Sequence, residues 1–146
     1  MANDTLDKCG FEALSHFRYQ LRRFLRFSEE LTQTFGVTHL QYLLLLHIKG
    51  FPGREWATIS ELAERLQSHH HGVVSLVSRC EKLGLVFRKK STEDRREVEV
   101  YLTPKGDEMV AKLAGLHRDE LLKLQGAFQA PLFITTSANS SARKQK

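Results

Sequence analysis

The fold is decided by the stretch from Thr58 to Thr103, which reads TISELAERLQSHHHGVVSLVSRCEKLGLVFRKKSTEDRREVEVYLT. Thr58 can cap a helix through its hydroxyl, and Glu61 stands three residues later, as a capping box requires. Apolar residues then recur at helical spacing over residues 59–66, and after a short polar break a second periodic run covers residues 69–83. Two short amphipathic helices joined by a tight turn predict a helix-turn-helix, whose second helix can enter the major groove of DNA.

A basic β-hairpin is predicted directly after the second helix, which Gly84 ends. Residues 85–87 are apolar and β-prone, and residues 97–102 alternate polar and apolar side chains, as a half-buried strand does. Residues 79–96 contain seven lysines and arginines against three acids. This local excess of positive charge lies where a DNA backbone would be met, and neutralising phosphates dominates protein–DNA affinity. Two strands with a charged tip after a helix-turn-helix form a wing.

The whole ordered arrangement closely resembles the MarR family of bacterial transcription regulators. The resemblance is carried by residues 59–66 and 76–86, by the wing signature Asp94-Arg95-Arg96, and by the segment 102–106 (LTPKG) after the wing. With the flanking helices, the likeness covers roughly residues 10–128. It implies a mainly α fold with a small β wing, in which a winged helix-turn-helix is flanked by long terminal dimerisation helices.

Long amphipathic helices are predicted on both sides of this region. Apolar residues fall three and four apart between about residues 11 and 35, which traces one stripe on a long helix. A second helix, about residues 38–48, is apolar nearly all round, which indicates burial, and Thr103-Pro104 begins a further helix to about residue 125. Each terminal helix has more apolar surface than a small winged unit can cover, so we infer a symmetric homodimer. A monomeric bundle or a coiled coil is the alternative.

Four segments are therefore expected. They are an N-terminal dimerisation helix (residues 1–36), a winged helix-turn-helix DNA-binding region (37–103), a C-terminal dimerisation helix (104–130) and a tail (131–146). The tail has β-branched residues and then Ser and Asn without helical period, so we expect it to be largely disordered. Members of the family usually end instead in a further amphipathic helix that clasps the partner subunit. Either the interface is smaller here, or residues 132–134 dock in an extended form.

Residues that read DNA are predicted on the second helix of the helix-turn-helix. Positions near the start of that helix, and those at i+4 spacing, face the groove. His and Ser can exchange hydrogen bonds with base edges, Val can touch a thymine methyl, and Arg can grip a guanine or a phosphate. The candidates are His70, His71, Val74, Ser75 and Arg79. The opposite, apolar side of the helix is expected to pack inward, and it consists of Val73, Leu76, Val77, Cys80 and Leu83.

The resemblance gives the wing its roles. Asp94 would hold an arginine in place, and Arg95 or Arg96 would enter the minor groove, because narrow A·T-rich grooves attract arginine. Lys89 and Lys90 would meet phosphates. A dimer would present two such units to half-sites about 34 Å apart on a pseudo-palindromic operator of double-stranded DNA.

A small-molecule effector is also implied by the resemblance. The family's ligands are often phenolic or carboxylic compounds that sit between the dimer helices and the winged lobe. The candidates for the wall of such a pocket are Phe17, Tyr19, Phe24, Tyr42 and His47. Each of them fits equally well as a plain core residue. The expected function is that of a ligand-responsive repressor.

Composition and compartment are compatible with this function. The net charge of +5 and the pI near 9.4 favour a polyanionic partner, although much of the excess charge lies near the C-terminus. No apolar run approaches the ~20 residues needed to cross a bilayer, and the first residues do not form a secretory signal, so no membrane association is expected. Cys9 and Cys80 are far apart and do not suggest a disulfide framework, which fits a reducing cytoplasm.

Other functions are alternatives at the level of sequence. Cys9 lies just before the first helix, near the place where organic-peroxide sensors of the family carry a reactive cysteine, so a thiol-based redox-sensing regulator is one alternative. A winged-helix protein-interaction module that does not bind DNA is another. The seven histidines lack compact metal-ligand spacing. No phosphate loop, nucleophile elbow or acid–base constellation is visible, so no metal, cofactor or enzymatic activity is predicted.

Overall fold

The computed structural model describes residues 5–124 and Pro131, which form five helices and three strands. In chain order these elements are α1 (Lys8–Thr34), α2 (His39–Lys49), β1 (Trp56–Thr58), α3 (Ile59–Leu66), α4 (His70–Lys82), β2 (Val86–Lys90), β3 (Val98–Leu102) and α5 (Pro104–Lys123). This order confirms the mainly α fold with a small β wing. Apart from Pro131, the predicted tail lies outside the described residues, as does the end of the C-terminal helix predicted to reach residue 130.

Side-chain caps determine where the helices begin. Thr58 forms a complete capping box with Glu61: the Glu61 N–H donates to the Thr58 hydroxyl at 3.2 Å, and the Thr58 N–H donates to Glu61 Oε1 at 3.0 Å. Thr38 caps α2 with a second capping box. Thr103 caps α5, with Pro104 in the first turn, where its missing N–H costs no hydrogen bond. The starts predicted for α3 and α5 are thereby confirmed.

The three strands form one antiparallel sheet in the order β1-β3-β2. The predicted hairpin is the β2–β3 pair, in which Val86 lies opposite Leu102 and Lys90 lies opposite Val98. Strand β1 was not predicted, because three residues are too few to show an alternating pattern. It pairs with the central residues 99–101 of β3, and it contacts α3 of the helix-turn-helix.

The hydrophobic core lies between α2, the helix-turn-helix and the inner face of the sheet. Its fully buried side chains include Leu44, Leu45, Ile48, Leu62, Val73, Val77, Cys80, Val100 and Leu113. The predicted burial is confirmed for most apolar residues of α2 and of the inward side of α4, but Leu40 of α2 is 48% exposed. Leu83 is 40% exposed, because it is the C-cap residue of α4 and lies where the helical period ends.

The two terminal helices keep apolar side chains on their surface. The largest exposed ones on α1 and α5 are Phe11, Leu14, Tyr19, Leu25, Leu116, Leu121 and Leu122, with Phe11 59% and Leu122 58% exposed. Scattered exposed leucines are ordinary, but a concentration on two helices is typical of an interaction surface.

A buried histidine joins three helices. His117 of α5 has Nδ1 2.7 Å from the carbonyl oxygen of Leu113 and Nε2 2.8 Å from the hydroxyl of Ser28 on α1. Because a carbonyl can only accept, Nδ1 of His117 donates to the Leu113 carbonyl oxygen, and Nε2 forms the hydrogen bond with the Ser28 hydroxyl. The same hydroxyl lies 3.1 Å from Nδ1 of His39, at the start of α2. Burial lowers the pKa of His39, and Glu29 opposes this effect. The hydrogen bonds through Ser28 therefore connect the terminal helices to the winged unit.

Candidate DNA-binding surface

Helix α4 presents most of its predicted DNA-reading residues to solvent. His70, His71, Ser75 and Arg79 are exposed, whereas Val74 is half-buried and packs against the core. The guanidinium of Arg79 donates from Nη2 to the hydroxyl of Ser75 at 3.2 Å, one turn earlier on the same helix face. The rings of His70 and His71 meet edge to face, with centroids 6.4 Å apart. These four side chains therefore form one polar surface along the helix.

The start of α4 is open. Its N-cap residue, His69, makes no side-chain hydrogen bond to the helix, so backbone N–H groups of the first turn can meet an external acceptor. Gly72 lies within this turn, and a Cβ added there would meet nothing within 4 Å. The first turn of α4 thus combines free donors with open space, which suits close approach of an anion such as a phosphate.

The tip of the wing is organised by Asp94. Its Oδ1 accepts from the backbone N–H of Arg96 at 3.0 Å and from Arg96 Nε at 3.2 Å, and its Oδ2 accepts from Arg96 Nη2 at 3.4 Å. The hydrogen bonds from the Arg96 side chain have the largest effect in lowering the pKa of Asp94, and the bond from the Arg96 backbone N–H adds to it. The Arg96 side chain is nevertheless 91% exposed. Arg95 is exposed and makes no side-chain hydrogen bond or ion pair with any of residues 5–124. Of the two arginines left open by the sequence, Asp94 holds Arg96.

Strand β2 carries three consecutive cations with different surroundings. Lys89 and Lys90 are exposed, as expected for phosphate contacts. Arg88 is half-buried: its Nε donates to Glu81 Oε1 at 3.1 Å, and its Nη2 donates to the hydroxyl of Ser78. In the sequence, Arg88 is visible only as part of the local positive charge. Its partners lie seven and ten residues earlier, on α4, and no local pattern in the sequence indicates such a pairing.

The five residues predicted to form the wall of an effector pocket do not lie together in the structure. Phe24 and Tyr42 meet around His117, Tyr42 stacking on its ring with centroids 4.5 Å apart and Phe24 approaching edge-on at 6.1 Å. Phe17 is half-buried on α1, and Tyr19 is exposed. His47 is on α2, where burial and the charge of Arg65 lower its pKa.

A surface cavity of about 370 Å³ lies between α1 and α5. It is lined by Tyr19, Arg23, Phe24, Arg26, Phe27, Glu30, Glu120 and Leu124. Two of the five predicted wall residues, Tyr19 and Phe24, contribute to it. Phe17, Tyr42 and His47 do not line it: Tyr42 is buried on α2, and Phe17 and His47 are half-buried on α1 and α2.

The two cysteines differ in reactivity. Cys80 is fully buried in α4, and burial raises the pKa of its thiol to about 11. It is therefore a packed, unreactive thiol, because the thiolate is the reactive form. Cys9 is exposed in the first turn of α1. Within the described residues, no cluster of three metal-ligating side chains could hold an ion, and no helix has the length and apolar content to cross a membrane.

The fold and this surface define a winged helix-turn-helix protein. Residues 35–97 match the model of the MarR family.

Proteins with similar sequences are described as transcription regulators. A protein of Thauera aromatica, described as a candidate transcriptional regulatory protein for the hcr operon, is 32% identical over 96 residues, which are 66% of this chain and 56% of that protein. The chain spans about half the length of the curated relatives it matches.

Solved structures share the fold. AbsC, a MarR family transcriptional regulator from Streptomyces coelicolor, is similar with a TM-score of 0.74 and 24% identity, over 88% of this chain and 86% of AbsC. A variant of MepR from S. aureus bound to an oligodeoxyribonucleotide is similar with a TM-score of 0.61 and 20% identity, over 75% of this chain and 78% of MepR. At these identities the likeness establishes the fold alone.

Proposed function

We propose that this chain is a sequence-specific transcription regulator that binds double-stranded DNA as a homodimer. The observation that carries the proposal is the pairing of the exposed polar face of α4 with an exposed basic wing. In winged helix-turn-helix proteins such a helix fits the major groove, so we call α4 the recognition helix. His70, His71, Ser75 and Arg79 would contact base edges or phosphates, and Val74, being half-buried, would at most touch a thymine methyl.

The wing would contact the minor groove beside the recognition helix. Arg96 is the candidate for insertion, because Asp94 fixes its backbone and guanidinium while the side chain stays in solvent. A side chain that is already ordered loses less entropy on binding. Lys89 and Lys90 would neutralise phosphates, with Arg95 as a further exposed cation at the tip.

Regulation would use the junction between the terminal helices and the winged unit. The MarR family resemblance favours a repressor, active in the cytoplasm, that a small aromatic or carboxylic compound releases. The cavity between α1 and α5 supports such an effector, since Arg23 and Arg26 could pair with a carboxylate beside the rings of Tyr19 and Phe24. A ligand there would change the relation of α1 to α5 and hence the spacing of the two recognition helices.

Binding of DNA should depend steeply on salt. A regulator that neutralises about six to ten phosphates loses roughly 10³- to 10⁵-fold in affinity between about 50 and 200 mM salt. We would select a binding sequence from a random duplex library and measure its affinity for the chain by fluorescence anisotropy across that range. A linear fall of log affinity with log salt supports the proposal. Absence of binding even at the lowest salt would favour the protein-interaction module instead.

Charges placed on the terminal helices should separate the homodimer. Phe11→Glu combined with Leu122→Glu puts carboxylates on the two most exposed apolar positions of α1 and α5. Each buried Phe or Leu contributes about 1.5–3 kcal/mol, and a dimer would lose four of them. Light scattering should show a dimer of the 16.8 kDa chain becoming a monomer. Leu40→Glu, at an exposed leucine of α2, is the control and should leave the dimer intact.

A further inference from the structure

Arg88 connects the wing to the recognition helix. Its guanidinium donates from Nε to Glu81 at 3.1 Å and from Nη2 to the hydroxyl of Ser78, and both partners lie in the second half of α4. The Ser78 hydroxyl in turn donates to the carbonyl oxygen of Val74 at 3.0 Å. One planar, rigid cation on β2 thus holds two successive turns of α4.

The surroundings of Arg88 differ from those of a phosphate-binding cation. Side chains alternate along a strand, so Arg88 points toward α4 whereas Lys89 points away from it. The Arg88 and Glu81 side chains are 31% and 34% exposed, and their charges balance. The Nε–H of Arg88 and one N–H of its Nη2 are already used within the protein. Lys89 and Lys90, with exposed ammonium groups, can meet phosphates without breaking any contact.

From this geometry we propose that Arg88 is a positioning residue, which sets the angle between the wing and the recognition helix. The proposal rests on the proposed DNA-binding function. It identifies Arg88 as a residue that allows the recognition helix and the wing to bind DNA together. When two binding surfaces are joined rigidly, binding of one holds the other at high effective concentration near its site on the DNA. A loose connection lowers that effective concentration. Arg88 therefore affects affinity through Arg96 at the wing tip and has no need to touch DNA.

Glu81→Ala provides a test, because a positioning role and a phosphate-binding role of Arg88 predict opposite changes in affinity for the selected duplex. If Arg88 met a phosphate, removal of Glu81 would release it and raise both the affinity and the salt slope. As a positioning residue, Arg88 loses its anchor, and affinity for the selected duplex should fall about fivefold at fixed salt, within the range for coupled residues in one network. The slope of log affinity against log salt should be unchanged. Unchanged or increased affinity overturns the proposal.

Arg88→Met should match the loss caused by Glu81→Ala, and the double variant should lose little more, because both changes break the same connection. The control is Lys89→Ala, which should lower the salt slope by about 0.9, as loss of one phosphate contact does. A comparable fall in slope for Arg88→Met would identify Arg88 as a phosphate ligand and overturn its positioning role.

The dependence on the wing tip is tested in the Arg96→Ala background. There the wing has lost its main contact, so Glu81→Ala should have little further effect on affinity. An undiminished fivefold loss would show that Glu81 acts through the recognition helix alone and would overturn the proposal. If the wild-type chain binds no duplex at all, it is the proposed function that fails. Thermal unfolding of each variant checks that the fold is retained.

Discussion

Gly106→Ala should destabilise the fold by about 3 kcal/mol, at the upper end of what overpacking costs. A Cβ added at Gly106 would lie 2.0 Å from the carbonyl oxygen of Leu85 and 2.9 Å from its carbonyl carbon. Both atoms belong to the backbone and cannot rotate away, as the end of a flexible side chain could. The start of α5 or the turn before β2 must therefore move.

Hydrogen bonds hold both the start of α5 and the turn at Leu85 in place, so that moving either one costs free energy. Thr103 donates from its N–H to the Leu85 carbonyl at 3.0 Å and from its hydroxyl to the Gly84 carbonyl at 2.6 Å. Lys105 donates from Nζ to the Leu83 carbonyl at 2.9 Å. These bonds fasten α5 to the end of α4. Any shift that relieves the clash would stretch hydrogen bonds between the terminal helix and the winged unit.

Chemical denaturation of Gly106→Ala against Gly115→Ala measures this effect. Gly115 also lies in α5, but a Cβ there would meet nothing within 4 Å. In a helix interior, Gly→Ala is otherwise favourable by about 0.5–1 kcal/mol, so the control should be slightly stabilised. Equal free energies of unfolding for the two variants would show that the approach to Leu85 is not tight.

Much of the fold could be predicted because its determinants are local. Thr58 and Glu61 are three residues apart, and the helical and strand periods each need only a few neighbours to become visible. Strand β1 is too short to show an alternating pattern, and it escaped prediction because its pairing partner, β3, lies some forty residues later. The close approach at Gly106 and the role of His117 escaped for the same reason: their partners, Leu85 and Ser28, belong to other elements.

The candidate site divides in the same way. Exposure of His70, Ser75 and Arg79 follows from one helical period, which the sequence displays. The connection between Arg88 and Glu81 joins a strand to a helix, and its existence depends on where the wing packs. The effector wall was the least predictable part. Packing between helices decides whether an aromatic residue of α1 or α2 faces a cavity or the interior. Helical periodicity shows only which residues share a face, so it does not predict this outcome.

Arg96→Ala is expected to weaken binding of the selected duplex by roughly 10- to 100-fold, as loss of a specific arginine contact does. The structure holds Arg96 by three hydrogen bonds to Asp94 and still leaves its side chain 91% exposed. Such an arginine can enter a narrow minor groove with little loss of conformational entropy. The loss should be largest for duplexes with A·T-rich flanks, whose minor grooves have the most negative potential.

Arg95→Ala is the matched control, since it removes the same charge one residue earlier from a side chain with no anchor among the described residues. If insertion depends on anchoring, Arg95→Ala should reduce affinity only by the few-fold typical of one peripheral charge and should not alter the preference for A·T-rich flanks. Asp94→Asn should fall between the two, because it keeps the shape of the tip but weakens charge-assisted bonds to Arg96. Equal losses for Arg95→Ala and Arg96→Ala, with the same flank dependence, would mean that the wing acts only through its total charge. The hydrogen bonds of Asp94 would then shape the tip without selecting an arginine.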